Sequence, residues 1–292
     1  MPPWLDYGGR LSPLKLLVFL SLFVPGSWTA LALATGNLGA EPFKEAIHQL
    51  GLWAFRFLLV ALAVTPARQT LHWPQLLLVR RMLGVAAFAY VCVHLLLYTA
   101  DEAFDLAKVA SEIVLRFYLT IGFAALLGLA ALAATSTDGM IRRLGARRWQ
   151  RLHRLVYPIA ALALVHYFIQ SKLEVYEPTV MAGLFLWLMG YRLVAARRRD
   201  RRVPLRAVAL LGLAAAALTA IGETVYLRLK TGVDPLRVLG VNLSLATGIR
   251  PGMVVLAAGA AATLLMALRR HRGIRAGTGG GQRPRPRSRH AS

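Results

Sequence analysis

The sequence predicts an all-α membrane protein of eight helical spans, and three observations carry that reading. The apolar set makes up 57% of the 292 residues, and the mean hydropathy is +0.53. Only 16% of residues are charged, yet 35 Lys and Arg against 13 Asp and Glu give a net charge of +22. The basic residues lie in short runs between long apolar stretches, a pattern that neither a soluble domain nor a disordered basic chain produces.

A span needs about 20 predominantly apolar residues. The first, at 13–34, contains Ala32-Leu33-Ala34, which resembles a signal-peptide cleavage site. Its apolar run exceeds the roughly 7–15 residues of a signal-peptide core, so it is read as a span. The others are 51–65, a short run that can extend back towards His48, then 79–99, 113–134, 153–170, 176–196, 205–229 and 251–268.

Charge sets the orientation, because cytoplasmic loops carry the Lys and Arg excess. Arg142, Arg143, Arg147, Arg148 and Arg151 lie between spans four and five, and Arg197, Arg198, Arg199, Arg201 and Arg202 follow span six. The alternate loops hold Glu41 and Glu45, then Asp101, Glu102, Asp105 and Glu112, then Glu174 and Glu177. Both termini are therefore expected in the cytoplasm. The loop between the last two spans fits this alternation less well, because Arg228, Lys230, Arg237 and Arg250 face only Asp234. Three segments follow: 1–202 as a six-span bundle, 203–270 as two further spans, and 271–292 as a basic tail rich in Gly, Pro and Arg, expected to be disordered. The tail is read as topogenic or in contact with the lipid surface. Nucleic acid is not expected as a partner, since no aromatics interleave with its arginines.

Several chemistries are excluded. Cys92 is the single cysteine, so no disulfide and no Cys-ligated zinc or iron–sulfur site forms within the chain. Neither a phosphate-binding P-loop nor a strand–GxGxxG–helix unit is present, so ATP and NAD are not expected here.

Polar residues at membrane depth ask for a reason. His72, His271 and His290 lie in loop or tail. His48 at a helix end is read as interfacial, and so is Glu223 near the outer end of span seven. His94 and His166 differ, because each is flanked by apolar and aromatic residues. His94 lies 13 residues beyond Arg81, and His166 lies 13 beyond His153. Both are then about 20 Å from the inner face on spans running the same way. Two neutral imidazoles at equal depth make a bis-axial site for a haem iron. Arg56 and Arg116, near outer helix ends, are candidate propionate partners.

The inner face is built differently. Arg80 and Arg81 occupy the depth of His153, and Arg148, Trp149 and Arg151 are close by in the loop. Arginine forks suit a phosphate and an aromatic ring suits a flat isoalloxazine, which favours FMN. An inner haem bound through His153, with the arginines as propionate partners or as topogenic charges only, stays open. On an ideal helix His153 and His166 are about 140° apart, so they share a face only if the helix is distorted near Pro158.

A set of short motifs in order adds a resemblance. They are Gly36-Asn-Leu-Gly-Ala-Glu-Pro42, Thr65-Pro66, Arg80-Arg-Met-Leu-Gly84, His94-Leu-Leu-Leu-Tyr98, Arg116-Phe-Tyr-Leu-Thr120, Thr135-Ser136-Thr137, Trp149-Gln-Arg-Leu-His153-Arg-Leu-Val-Tyr157 and His166-Tyr167. This stretch, to about Arg197, resembles the MsrQ family, the haem-binding membrane subunit of the bacterial protein-methionine-sulfoxide reductase system. That family belongs with the ferric-reductase-like transmembrane domains. The resemblance implies a six-helix ferric-reductase-like bundle in the bacterial inner membrane, with b-type haem, FMN, and His94, His153 and His166 at the family's histidine positions. It implies electrons from a cytosolic flavin reductase or the quinone pool. They would pass to a periplasmic molybdenum-cofactor partner that reduces oxidised methionine in envelope proteins. The region from about residue 203 departs from that pattern. A ferric-reductase-like relay to another acceptor and a haem-free transporter or scaffold are the rival readings. A transporter is expected to show broken helices and often an internal repeat, and no repeat is found.

Overall fold

A computed structural model describes residues 3–5, 8–172, 174–200, 202–246 and 248–278, with side chains to residue 269. Twelve α-helices and a single 3-10 turn make up the described residues, without a strand. In chain order they are α1 (Pro13–Ser21), α2 (Val24–Ala34), α3 (Pro42–Leu71), α4 (Leu77–Asp101), α5 (Leu106–Leu115), α6 (Phe117–Ala134), α7 (Asp138–His153), α8 (Val156–Gln170), α9 (Tyr176–Ala196), α10 (Leu205–Thr231), α11 (Pro235–Asn242) and α12 (Pro251–Thr278). Seven spans meet the length and hydropathy of a membrane crossing, and an eighth does if α7 and α8, bent by 40°, count as one. The chain is an all-α multi-pass membrane protein.

α3 is the central helix. Its middle is apolar all round, and Phe55, Phe57, Leu58, Leu59, Ala61, Leu62 and Val64 are buried among α2, α4, α8, α9 and α12, as a core helix requires. It runs over 30 residues, well past the apolar run at 51–65, and in its first turns Ala46 and Leu50 are buried while Lys44, Glu45 and His48 are exposed. The first span is broken between α1 and α2 by an inserted side chain. The Tyr90 hydroxyl donates to Leu22 O at 2.6 Å and accepts from Gly26 N at 2.8 Å. It thereby replaces the helical bond between those two backbone groups.

Two more of the expected spans start later than expected. The fourth starts only at Phe117, because Arg116 adopts an extended backbone (φ −101°, ψ 105°) that separates it from the amphipathic α5. The fifth is α8 alone. The helix ends at His153 on α7, and a break at Arg154 and Leu155 puts His153 and His166 on different helices. The ideal-helix angle between them therefore does not apply.

At the far side of α9, α10 and α12 pack on each other and on α9. Gly212 and Gly259 bring two backbones together: a Cβ on Gly259 would lie 2.8 Å from Gly212 Cα, the close approach that small residues allow in membrane helices. Glu223 is buried between helices. It is 3% exposed, paired with Arg250 at 2.8 Å and accepting from Asn242 Nδ2 at 3.0 Å, which ties α10, α11 and the start of α12 into one unit. Arg269 donates to Leu71 O at 3.0 Å, joining α12 to the end of α3. α12 itself continues to Thr278, into the segment read as a disordered tail; residues 279–292 lie outside the described residues.

Candidate functional site

A cavity of about 510 Å³ opens between α3, α4, α6 and α8, within the roughly 300–1,000 Å³ of cofactor pockets. His94 from α4 and His166 from α8 both line it. Its depth is apolar, with Phe55, Leu58, Phe123 and Leu129 in the wall. Lys44, Arg116 and Lys172 lie at the end that carries the acidic loops.

The two rings are held in the same way. His94 Nδ1 is 2.7 Å from Ile47 O on α3, and His166 Nδ1 is 2.8 Å from Tyr118 O on α6. A carbonyl oxygen only accepts, so each Nδ1 carries the proton and donates it. Each Nε2 is left with its lone pair, the tautomer that a metal needs from a neutral imidazole. Packing sets this arrangement: the rings sit in α4 and α8, and the acceptors belong to helices packed beside them. The donor set and the apolar walls fit a flat apolar cofactor with two axial imidazoles.

A third histidine joins them. His48 lines the same cavity and meets the Tyr167 ring edge-on at 6.3 Å. His48 is exposed near the start of α3, which begins at Pro42, and lies beside the cavity. Arg56 goes elsewhere: it pairs with Glu177 at 2.5 Å and stacks on Trp53 at 4.6 Å. Arg116 does line the cavity, while pairing with Glu112 at 2.7 Å. Glu112 also accepts from the Tyr98 hydroxyl, so α5 is tied to α4 and α6 beside the cavity mouth. Lys108 on α5 pairs with Glu102 at 2.5 Å, and that hydrogen bond holds its ammonium above the ordinary lysine range.

At the opposite, basic end the expected residues separate into groups. Trp149 and His153 stack, ring centroids 3.9 Å apart. Trp149 Nε1 donates to Thr135 O at 2.9 Å, and His153 Nε2 lies 3.2 Å from Thr135 Oγ1. Arg80 lies within electrostatic range of His153, Tyr157 and Arg192. Arg81 instead pairs with Asp138 at 2.5 Å and lines a second cavity of about 520 Å³ beside α1. Arg80 and Arg81 therefore do not form one fork, since neighbours on a helix point about 100° apart. Arg148 and Arg151 are exposed on α7. Arg192, which the sequence reading passed over, donates to Leu62 O and Leu188 O and lies over the Tyr157 ring at 5.3 Å. Among the described residues neither Arg80 nor Arg192 is ion-paired with a carboxylate.

Comparison with known proteins bears on this arrangement. Residues 50–164 match the family model described as a ferric reductase like transmembrane component. The protein-methionine-sulfoxide reductase heme-binding subunit MsrQ of Rhodospirillum rubrum is 46% identical over 193 residues, covering 65% of this chain and 93% of the relative. The chain belongs to the MsrQ family. The protein of that name from Caulobacter vibrioides is 42% identical over 183 residues, covering 62% of this chain and 87% of the relative. That from Azospira oryzae is 38% identical over 199 residues, covering 68% and 85%. These MsrQ relatives are matched over most of their own length and leave about a third of this chain without a counterpart. The ferric-reductase match includes His94, Tyr118, Trp149 and His153, and stops two residues short of His166. No solved structure matches the chain.

Proposed function

We propose that this chain is a haem-binding electron-transfer subunit of the bacterial inner membrane, with His94 and His166 as the axial ligands of a b-type haem. The observation that carries the reading is the matched pair of Nδ1–carbonyl bonds, which leaves both Nε2 lone pairs available at one apolar cavity. When bound, haem supplies a one-electron carrier in the interior of the membrane. The apolar wall of α3 and α6 keeps water from that interior, and Lys44, Arg116 and Lys172 offer cations to the carboxylates of such a group.

At the basic end the reading assigns FMN to the cluster formed by Arg80, Arg192, Tyr157 and His153. Two half-buried guanidiniums without a carboxylate partner among the described residues suit a phosphate. Arg81, committed to Asp138, is left out of that cluster, and Arg148, Trp149 and Arg151 border it on α7. One face of Trp149 is already covered by His153, which leaves the other for a flat ring. The direction is outward: electrons enter at the cytoplasmic face from a flavin reductase or the quinone pool. They leave to a periplasmic molybdenum-cofactor methionine sulfoxide reductase, bound as a heterodimer. The names of the relatives and the charge asymmetry of the loops support this assignment. Both termini lie in the cytoplasm in this account, and residues 1–202 form the electron-transfer unit with 203–270 as an added pair of spans.

Absorption spectroscopy with iron and flavin quantitation of the purified full-length protein tests the reading. A Soret band that shifts on reduction, and is reoxidised by the partner reductase with oxidised methionine present, is the expected result. A colourless, iron-free protein inserted in the membrane rejects it.

A further inference from the structure

The two hydrogen bonds that hold His94 and His166 share a second feature. In an α-helix the carbonyl of residue i points towards residue i+4, which lies one turn on along the same face. A ring from a neighbouring helix that reaches this carbonyl must therefore lie against residue i+4. Ile47 accepts from His94, and the residue four positions on is Gly51. Tyr118 accepts from His166, and four positions on is Gly122.

The space at both glycines is already taken by the ring. A Cβ on Gly51 would lie 3.0 Å from His94 Nδ1 and 3.1 Å from its Cε1. A Cβ on Gly122 would lie 2.8 Å from both of the same atoms of His166. The displaced atoms are not the free end of a flexible chain, because the ring is fixed by its own hydrogen bond. Glycine in a membrane helix commonly serves to bring two backbones together, as Gly212 and Gly259 do here. At Gly51 and Gly122 the nearest atoms are those of the imidazole alone.

We propose that Gly51 and Gly122 are positioning residues for the two axial histidines, each admitting a ring that gives its Nδ1 proton to the carbonyl one turn earlier. The inference rests on the haem reading above. An Nδ1–H held on a carbonyl makes Nε2 a more basic ligand, which favours ferric over ferrous iron. An alanine in either place pushes the ring off the carbonyl, weakens that bond and tilts the ligand. The consequence differs from simple loss of packing, because it appears in the redox potential and in the ligand field.

The test uses the full-length protein with Gly51→Ala and Gly122→Ala as variants and two alanine controls. Gly84→Ala enters open space on α4, and Gly128→Ala meets only the side chain of Ile159, 2.7 Å away. The measurements are the midpoint potential and the low-spin ferric EPR g-values. Both positioning variants are expected to shift to more positive potential with altered g-values and a partial change to high spin. Gly122→Ala is expected to shift further, because its contact is tighter. Both controls are expected to match the parent. Parent-like potential and g-values in both positioning variants overturn the inference, as does an equal shift in Gly128→Ala. Where a variant fails to insert, ENDOR of the parent decides: exchangeable Nδ1 protons in a hydrogen bond support the inference, and their absence overturns it. A haem-free parent removes the haem reading and this inference together, whereas haem-replete variants with unchanged potential remove the inference alone.

Discussion

The Trp149 indole lies almost parallel to the His153 imidazole, with centroids 3.9 Å apart and planes 26° apart. The histidine is held from its edge as well. Thr135 Oγ1 is 2.8 Å from Ala131 O and 3.2 Å from His153 Nε2. At His153 it is Nε2 that meets a hydrogen-bond partner, whereas at His94 and His166 it is Nδ1. Two chemically different histidine environments occupy the two ends of the bundle.

His153→Ala is therefore expected to leave the low-spin haem spectrum of the protein intact. Its cost is to local stability, about 1 kcal/mol for the lost ring pair, readable as a lower melting temperature in detergent. Loss of half the haem in that variant would point to an inner haem bound through His153.

Arg80 and Arg81 should separate in a flavin assay. Arg80→Ala removes a guanidinium from the cluster with Arg192 and His153, whereas Arg81→Ala removes the partner of Asp138. Loss of one charge-assisted hydrogen bond is about 1.5–3 kcal/mol, roughly ten- to a hundredfold in FMN affinity. That weakening is expected for Arg80→Ala alone. Equal FMN retention in the two variants contradicts the assignment.

The buried pair of Glu223 and Arg250 gives a stability prediction for the added spans. Arg250→Leu strands a carboxylate that is 3% exposed, at a cost of about 3–5 kcal/mol. Glu223→Gln together with Arg250→Leu should recover most of that loss, because no uncompensated charge remains. Denaturation of the purified protein reads both. A single variant as stable as the parent would show that the pair does not hold α10 to α12.

Orientation is checked with reporter fusions. Asp105 is expected outside, and Ser136 and Gly277 inside, since the Lys and Arg excess marks cytoplasmic loops. A periplasmic reporter at Gly277 contradicts the even number of spans.

Apolar length and charge alternation made the helices legible in the sequence. That His94 and His166 line one cavity agrees with the equal depth expected of them, although the count from His153 to His166 crosses a break between two helices. Their acceptors were not, since Ile47 and Tyr118 lie 47 and 48 residues from the rings they hold, and only packing brings them together. Arg56 was misplaced for the same reason: Glu177 is 121 residues away. That His48 lines the cavity was not legible, because the apolar run begins after it while the helix begins before it. The break at Arg154 and Leu155 was signalled by Pro158, which cannot donate to the carbonyl of Arg154 four positions earlier; that it places His153 and His166 on separate helices was not. Glu223 looked like a helix-end carboxylate, because its partner Arg250 sits beyond a loop and a short helix.

The central claim is that His94 and His166 together hold one haem. It is tested most directly by the low-spin ferric EPR signal and haem content of His94→Ala and His166→Ala, purified from membranes at parent levels of protein. Each variant is predicted to lose most of the low-spin signal. Parent-like haem content and signal in either variant would contradict the account.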